Sequence, residues 1–110
     1  MTININSPIH LAPETAEWWR LVLEEFALEP HHMRLLRLAC EAWDRCQQAR
    51  EILDREGLTT QTESGGLKAH PCIGIERDAR LAFARLLREL DLDAELTPAQ
   101  ARIPALRSNR

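Results

Sequence analysis

Three prolines, each followed by residues that favour helix, divide this chain into segments. Pro13, Pro30 and Pro71 stand where apolar residues begin to recur at helical spacing. Proline suits the first position of a helix because the amide hydrogen that it lacks would have no partner there. Gly57 follows the second and longest segment, as a helix-ending glycine often does. The pattern predicts three main helices, over about residues 13–27, 30–56 and 71–90.

A short polar segment separates the second predicted helix from the third. Residues 58–69 are rich in threonine and contain Gly65-Gly66 near the middle. Glycine between polar residues is typical of tight turns, so this segment is predicted to be a short β-hairpin or an extended arm. Near the end of the sequence, Thr97 and Pro98 predict the start of a short C-terminal helix. The predicted fold class is all-α, with one short arm.

The length of 110 residues fits a single domain, residues 1–110. A monomer of this size buries only about two-thirds of its unfolded surface, so it needs nearly every apolar residue for its core. Within the domain we expect five parts in order: a loose N-terminus at 1–11, a helical hairpin at 12–56, an arm at 57–70, a third helix at 71–91, and a C-terminal linker and tail at 92–110.

The composition argues against a membrane protein and gives the chain an acidic balance. Apolar runs are short, and the N-terminal residues lack the features of a signal peptide, so we expect a cytoplasmic protein with reduced cysteines. The net charge is −3, from 14 basic and 17 acidic residues. A dedicated DNA-binding domain is usually basic overall. Any contact with nucleic acid must therefore come from a local arginine cluster or from several subunits together.

The second predicted helix carries an apolar face that is wider than one neighbour can cover. At 100° per residue its apolar side chains span roughly 200°, about twice what one partner helix needs. Either the first and third helices cover both sides, or one side meets another subunit. Leu35 and Leu38 are candidate residues for such an oligomer interface. Leu81 on the third helix joins them because it lies among arginines, although single exposed leucines are common.

The third predicted helix separates apolar side chains from basic ones. Its apolar face extends from Ile75 to Leu90, and four arginines lie on the opposite side of the helical wheel. Guanidinium groups bind phosphate oxygens in a bidentate way, so this side could follow a DNA backbone. With a lysine just upstream on the arm, the candidate DNA-binding residues are Lys68, Arg77, Arg80, Arg85 and Arg88.

Two alternatives to DNA contact through this helix stay open. In an acidic protein an arginine stripe is more often a solvated face. Acidic neighbours on the same helix, Glu76, Asp78 and Glu89, would neutralise part of it. The other alternative is a different DNA-binding surface at Arg34 and Arg37, near the start of the second helix.

The sequence lacks the motifs of common enzyme classes. It contains no phosphate-binding glycine loop, no zinc-protease helix motif and no Gly-x-Ser-x-Gly motif. Cys40 and Cys46 are too far apart around one helix to hold a metal together. We therefore expect no catalytic residue, no metal and no cofactor. The three tryptophans are at helical spacing and are predicted to lie in the core: Trp18, Trp19 and Trp43.

Four short stretches of sequence occur in a fixed order. They are Leu11-Ala12-Pro13-Glu14 followed by Trp18, Cys40-Glu41-Ala42-Trp43-Asp44-Arg45, Gly66-Leu67-Lys68-Ala69-His70-Pro71, and Leu96-Thr97-Pro98. Over about residues 11–102 this order resembles the phage terminase small-subunit family. Ala12 departs from the Ser or Thr that usually precedes the first helix, which predicts a weakly capped helix start.

The resemblance implies a non-enzymatic factor of viral DNA packaging. Such proteins assemble into rings, bind double-stranded viral DNA at the packaging site, and recruit or regulate the large terminase subunit, which holds the ATPase and the nuclease. They act in the host cytoplasm, during phage infection or from a prophage. The alternative function is that of a small helical protein-binding adaptor or regulator without DNA binding.

Overall fold

The computed structural model describes residues 6–92. It contains helices α1 (Pro13–Glu25), α2 (Pro30–Glu56) and α3 (Pro71–Leu90), with strands β1 (Thr59–Gln61) and β2 (Leu67–Ala69) between α2 and α3. The predicted all-α class and the predicted hairpin are confirmed. The predicted C-terminal helix from Thr97 lies outside the described residues. Within 6–92, no helix is long and apolar enough to cross a membrane.

The core of the molecule lies where α1 and α3 both pack on α2. Leu36, Ala39 and Cys40 of α2 are fully buried there. Leu90 at the end of α3 belongs to the same cluster as Leu36 near the start of α2, so these two helices run antiparallel. The structure therefore favours the interpretation that the first and third helices cover the wide apolar face of the second.

Two apolar side chains that the sequence placed inside are exposed. Trp43 was predicted to lie in the core, yet 41% of it is accessible. Ile75, assigned to the apolar face of the third helix, is also exposed. The core cluster takes its α3 residues from the second half of that helix. Ile75 in the first turn of α3 therefore lies outside the region that all three helices share, and Trp43 lies at its edge.

A carboxylate from α2 caps the start of α1. Ala12 has no side-chain group that could accept a hydrogen bond, and its own backbone N–H donates to Asp44 Oδ2 over 2.8 Å. The Thr15 hydroxyl donates to Asp44 Oδ1 over 2.5 Å. Both Thr15 and Asp44 are buried. The weakly capped helix start that Ala12 predicts is thus supported by a residue of another helix, which also fixes α1 against α2.

The residues just before α1 are held on α2 as well. Leu11 is buried, and His10 Nε2 lies 2.8 Å from Glu41 Oε2. Arg37 Nε donates to the same oxygen over 3.1 Å. Burial acts to raise the pKa of Glu41, but the hydrogen bonds from Arg37 and His10 outweigh it and lower that pKa. Residues 10 and 11 are therefore in contact with α2 at one end of the segment predicted to be loose.

Removing the buried cap should destabilise the fold. We predict that Asp44→Ala lowers the free energy of unfolding by about 2 kcal/mol, because one buried donor (Thr15) and one partly buried donor (Ala12 N–H) lose their acceptor. Asp44→Asn should lose only about half as much, since its amide oxygen still accepts from Ala12 and the Thr15 hydroxyl can turn to accept. Urea denaturation followed by circular dichroism measures both changes.

Asp54→Ala is the matched control for the cap. Asp54 lies on the same helix with an exposed side chain, so its replacement should change the free energy of unfolding by no more than about 0.5 kcal/mol. If Asp44→Ala and Asp54→Ala lowered the free energy of unfolding equally, a capping role for Asp44 would be contradicted.

Candidate nucleic-acid interface

The arm is a two-stranded antiparallel hairpin on the surface. Thr59 pairs with Ala69, and Gln61 pairs with Leu67. Thr62 closes the turn: its backbone N–H donates to Gly66 O over 2.8 Å, and Gly66 N donates to the Thr62 hydroxyl over 3.0 Å. Among the residues described, no third strand pairs with either strand. Two strands alone are marginal in water, so the arm depends on its attachment to the helices.

That attachment is made by His70, a buried residue that the sequence reading treated only as part of a motif. Its Nδ1 accepts from Cys72 N over 3.0 Å and caps α3, while Nε2 lies 2.8 Å from Glu56 Oε1. Because Nδ1 is an acceptor, the ring proton is assigned to Nε2, which donates to Glu56. The His70 backbone N–H also donates to Leu58 O over 2.8 Å. One residue thus joins the end of α2, the arm and the start of α3.

The four predicted arginines of α3 are all exposed. From Arg77 to Arg88 they extend about 16 Å along the helix axis, at 1.5 Å per residue. Lys68 on β2 is also exposed, just before the start of α3. The positions agree with the sequence prediction, but their electrostatic surroundings differ along the helix.

The first two arginines of the stripe are engaged by acidic neighbours. Arg77 Nε lies 3.3 Å from Asp78 Oδ1, in an exposed pair. Arg80 Nε lies 3.4 Å from Glu76 Oε2, and the Glu76 side chain is only 12% accessible. The part of the arginine stripe (Arg77, Arg80, Arg85 and Arg88) that contains Arg77 and Arg80 is therefore a solvated, partly neutralised face, as in the first alternative above.

Glu76 also links α3 to α2. Its Oε2 lies 3.8 Å from Arg50 Nη2 and 3.6 Å from Cys46 Sγ. Burial, followed by the charge of Glu76, raises the pKa of the Cys46 thiol, so Cys46 stays a neutral core residue. Sequence reasoning missed Arg50, because it lies on another helix and only the packing of α2 against α3 brings it to Glu76.

The second half of the stripe is unneutralised. Within residues 6–92, no carboxylate lies within ion-pair distance of Arg85, Arg88 or Lys68. A guanidinium without a protein partner can bind phosphate without first breaking an ion pair. The strongest candidate contacts are therefore Arg85 and Arg88 on α3, with Lys68 on the arm.

The alternative basic surface lies at the same end of the bundle as Arg88. α2 and α3 are antiparallel, so Arg34 and Arg37 at the start of α2 are level with the last turns of α3. Arg37 is paired with Glu41. Arg34 is exposed and has no ion pair among residues 6–92. Of this pair, Arg34 is the better placed to contact phosphate.

Of the three candidate interface leucines, two are exposed. Leu38 is 50% accessible and Leu81 is 44% accessible. Leu35 packs against the core cluster of the same chain and is only partly exposed. Exposed leucines on α2 and α3 leave apolar surface available for another subunit.

The described part of the chain offers no assembled chemistry. Within residues 6–92, no three His, Cys, Asp or Glu side chains gather to hold a metal ion. Cys40 and Cys46 are buried, and burial, with the charges of Asp44 and Glu41, raises the pKa of Cys40 to about 12. What the geometry does offer is a basic helix face and a surface arm, which suit binding.

Comparison with known proteins identifies a family. A family model described as "Phage terminase, small subunit" matches residues 15–103, which is most of the chain and includes α1, α2, the arm and α3. This match confirms the resemblance found in the sequence. No curated protein and no solved structure matches the chain.

The contact between Glu56 and His70 predicts an acid-sensitive arm. The hydrogen bond from His70, then that from Arg55, lowers the pKa of Glu56 from its ordinary value of 4.5. A carboxyl group whose pKa is lower in the folded state stabilises the fold at pH values above its ordinary pKa. This stabilisation is lost as the pH falls through the folded-state pKa. We predict that Glu56→Gln makes the loss of stability between about pH 5 and pH 3 shallower than in the wild type.

Urea denaturation at stepped pH measures this slope. The glutamine keeps an acceptor for His70, so stability near pH 7 should change little. Glu51→Gln removes the same charge from an exposed position on α2 and serves as the control. Identical acid slopes in the wild type and Glu56→Gln would show that the contact contributes nothing.

Proposed function

We propose that this chain, which belongs to the phage terminase small-subunit family, binds double-stranded viral DNA at the packaging site and recruits or regulates the large terminase subunit. The single observation that carries DNA binding is the exposed pair Arg85 and Arg88 on α3, neither of which has an ion pair among residues 6–92. Lys68 on the arm extends this basic surface. The chain itself takes no catalytic part, and the ATPase and nuclease belong to the large subunit.

Assembly into a ring reconciles this role with the acidic net charge. The proposed surface of one subunit offers only two or three unneutralised cations, which is a weak site for a polyanion. Several subunits around one duplex would present the same surface repeatedly, so their affinities combine. The exposed leucines Leu38 and Leu81 and the unpaired edges of the arm support such an assembly. We propose that it forms in the host cytoplasm, where viral DNA is packaged.

A protein-binding adaptor without DNA binding is the competing function. The observations in its favour are the net charge of −3 and the ion pairs that occupy Arg77, Arg80 and Arg37. These pairs leave few free cations on the described surface. The two functions differ in whether DNA binding depends on salt and on particular arginines.

The first test replaces the unneutralised arginines. Arg85→Ala with Arg88→Ala is cleaner than any pair that includes Arg80, because Arg80 partners the nearly buried Glu76. We predict weaker binding to viral DNA and a log–log salt slope reduced by about two per subunit, since two phosphate contacts are lost. Fluorescence anisotropy at several salt concentrations measures both quantities.

Arg20→Ala with Arg55→Ala is the charge-matched control. Both side chains are exposed, on α1 and at the end of α2, and neither belongs to the Arg85 and Arg88 pair. Wild-type affinity and slope in the Arg85 and Arg88 variant would reject this surface, and Arg34→Ala with Arg37→Ala would be measured next. If no variant matters and the wild type binds no DNA at low salt, the adaptor is the better account.

The second test concerns the arm. We predict that the wild type is a closed oligomer at tens of micromolar, and that deleting Thr60–Gly66 reduces its mass while leaving the helical circular-dichroism signal nearly unchanged. The physical reason is that a two-stranded arm is too small to contribute much to the subunit but offers free strand edges to a neighbour. Multi-angle light scattering measures the mass. An unchanged mass would refute the subunit role of the arm, and a monomeric wild type would refute the ring.

A further inference from the structure

An open groove lies between α1 and α3 on the aromatic side of the molecule. Its floor is formed by Phe83, whose ring centroid lies 5.2 Å from that of Trp43 and 6.2 Å from that of Trp18. A cavity of about 280 Å³ lies over these three rings, with Glu14 and Thr15 at its far end. Three aromatic rings from three different helices therefore line one surface depression.

The depression continues along α3 to the end of the described chain. A second cavity of about 640 Å³ shares Trp18 and Phe83 with the first and is bounded by Leu87, Arg88 and Leu92. We call the two cavities together the aromatic groove. It has a mostly apolar floor, with Arg88 at the end near Leu92 and Glu14 at the opposite end.

The chain leaves α3 at one end of this groove. Asp91 adopts a left-handed backbone conformation with φ of 54°, and its N–H donates to Leu87 O over 3.2 Å. This C-terminal cap turns the chain back, and Leu92 packs against the core cluster. Leu92, the last described residue, thus lies at one end of the groove, and residues 93–110 follow it in the sequence.

The sequence of that tail complements the groove in order. Asp93 and Glu95 come first and would meet Arg88. After Leu96 the tail has three arginines, no acidic residue, and two large apolar residues, Ile103 and Leu106. Its arginines would meet Glu14, which has no ion pair among residues 6–92. The acidic residues of the tail would thus lie near Arg88, and its arginines would lie near Glu14.

The tail is also long enough to reach. Phe83 lies nine residues before Leu92 on α3, about 14 Å back along the helix axis. The eleven residues from Leu92 to Ile103 span about 16 Å as a helix and over twice that when extended. Ile103 can therefore reach the three aromatic rings in either conformation.

We propose that the C-terminal tail of the same chain binds in the aromatic groove, with Ile103 and Leu106 against Trp18, Trp43 and Phe83. The groove accepts a few side chains, whereas a stable interface between subunits buries about 800 Å² on each partner. A tethered tail also acts at an effective concentration near the millimolar range, so weak contacts suffice. Under this proposal the tail occupies the groove, and any other apolar segment that binds there must displace it.

Tryptophan fluorescence of the full chain tests this proposal. Trp19 is only 5% accessible, so an aqueous quencher reports mainly on Trp18 and Trp43, both of which line the groove. Ile103→Asp with Leu106→Asp should release the tail and raise acrylamide quenching roughly twofold, because the quencher then reaches the uncovered rings. The matched control, Gln100→Asp with Ser108→Asp, adds the same charge at polar tail positions and should stay within the wild-type range.

Three results would overturn the proposal. Equal quenching in the wild type, the apolar variant and the control would show that the tail does not cover the rings. Equal increases in the variant and the control would assign the effect to charge rather than to apolar contact. Wild-type quenching that rises on dilution from 50 to 0.5 μM (about a hundredfold) would place a second copy in the groove instead, because a tethered contact is independent of protein concentration.

A peptide experiment separates the tail from indirect effects. The chain truncated after Leu92 should show the higher quenching of the apolar variant, and a peptide of residues 93–110 should restore the wild-type value only near millimolar concentration. The same peptide with Ile103→Asp and Leu106→Asp should have no effect. Restoration by both peptides, or by neither, would contradict a specific fit of Ile103 and Leu106.

Discussion

The rest of this fold depends on α2, because its apolar face is too wide for a single neighbour. Leu36, Ala39 and Cys40 lose all contact with water only where α1 packs on one side and α3 on the other. A chain of this size has little apolar surface to spare. The central helix therefore sets where every other element can lie, and the exposed Trp43 marks the edge of what its two neighbours cover.

Polar contacts then fix each neighbour at one position on α2. Asp44 holds the start of α1, Glu76 lies between Cys46 and Arg50, and His70 joins Glu56 to the arm and α3. Apolar packing between helices tolerates sliding, whereas a buried carboxylate or imidazole has a large cost when its partners are lost. These contacts fix the positions of α1 and α3 along α2, which hydrophobic burial alone would not specify.

The same contacts divide the basic surface into two parts. Glu76 serves the packing of α2 against α3, and in doing so it occupies Arg80, so the first turns of the arginine stripe are partly neutralised. In the later turns of α3, no described carboxylate forms an ion pair with Arg85 or Arg88. A chain with a net charge of −3 thus keeps Arg85 and Arg88 available in the last turns of α3, with Lys68 beyond the other end of that helix. The last turns of α3 also border the aromatic groove, which Arg88 lines together with Leu92.

The sequence by itself determined the helices, the arm and the family. Pro13, Pro30, Pro71 and Gly57 mark helix ends through local backbone chemistry, which acts in any surroundings, so three helix starts and the end of α2 were predicted at the observed residues. The helical wheel also placed the arginines opposite the apolar face, since that geometry depends on spacing alone. The first helix was predicted two residues too long, because nothing local to its end marks Glu25 as the last residue.

Only the tertiary structure decided which of these residues have partners. The cap from Asp44 to Ala12, the contact of Arg50 with Glu76 and the contact of His70 with Glu56 join different elements. The exposure of Trp43 likewise depends on how far α1 and α3 extend over α2. Periodicity describes one helix at a time and gives no information on the rotation or offset of its neighbours. Burial and ion pairing depend on that relative placement. Only the tertiary structure therefore shows which arginines have an ion-pair partner and which do not.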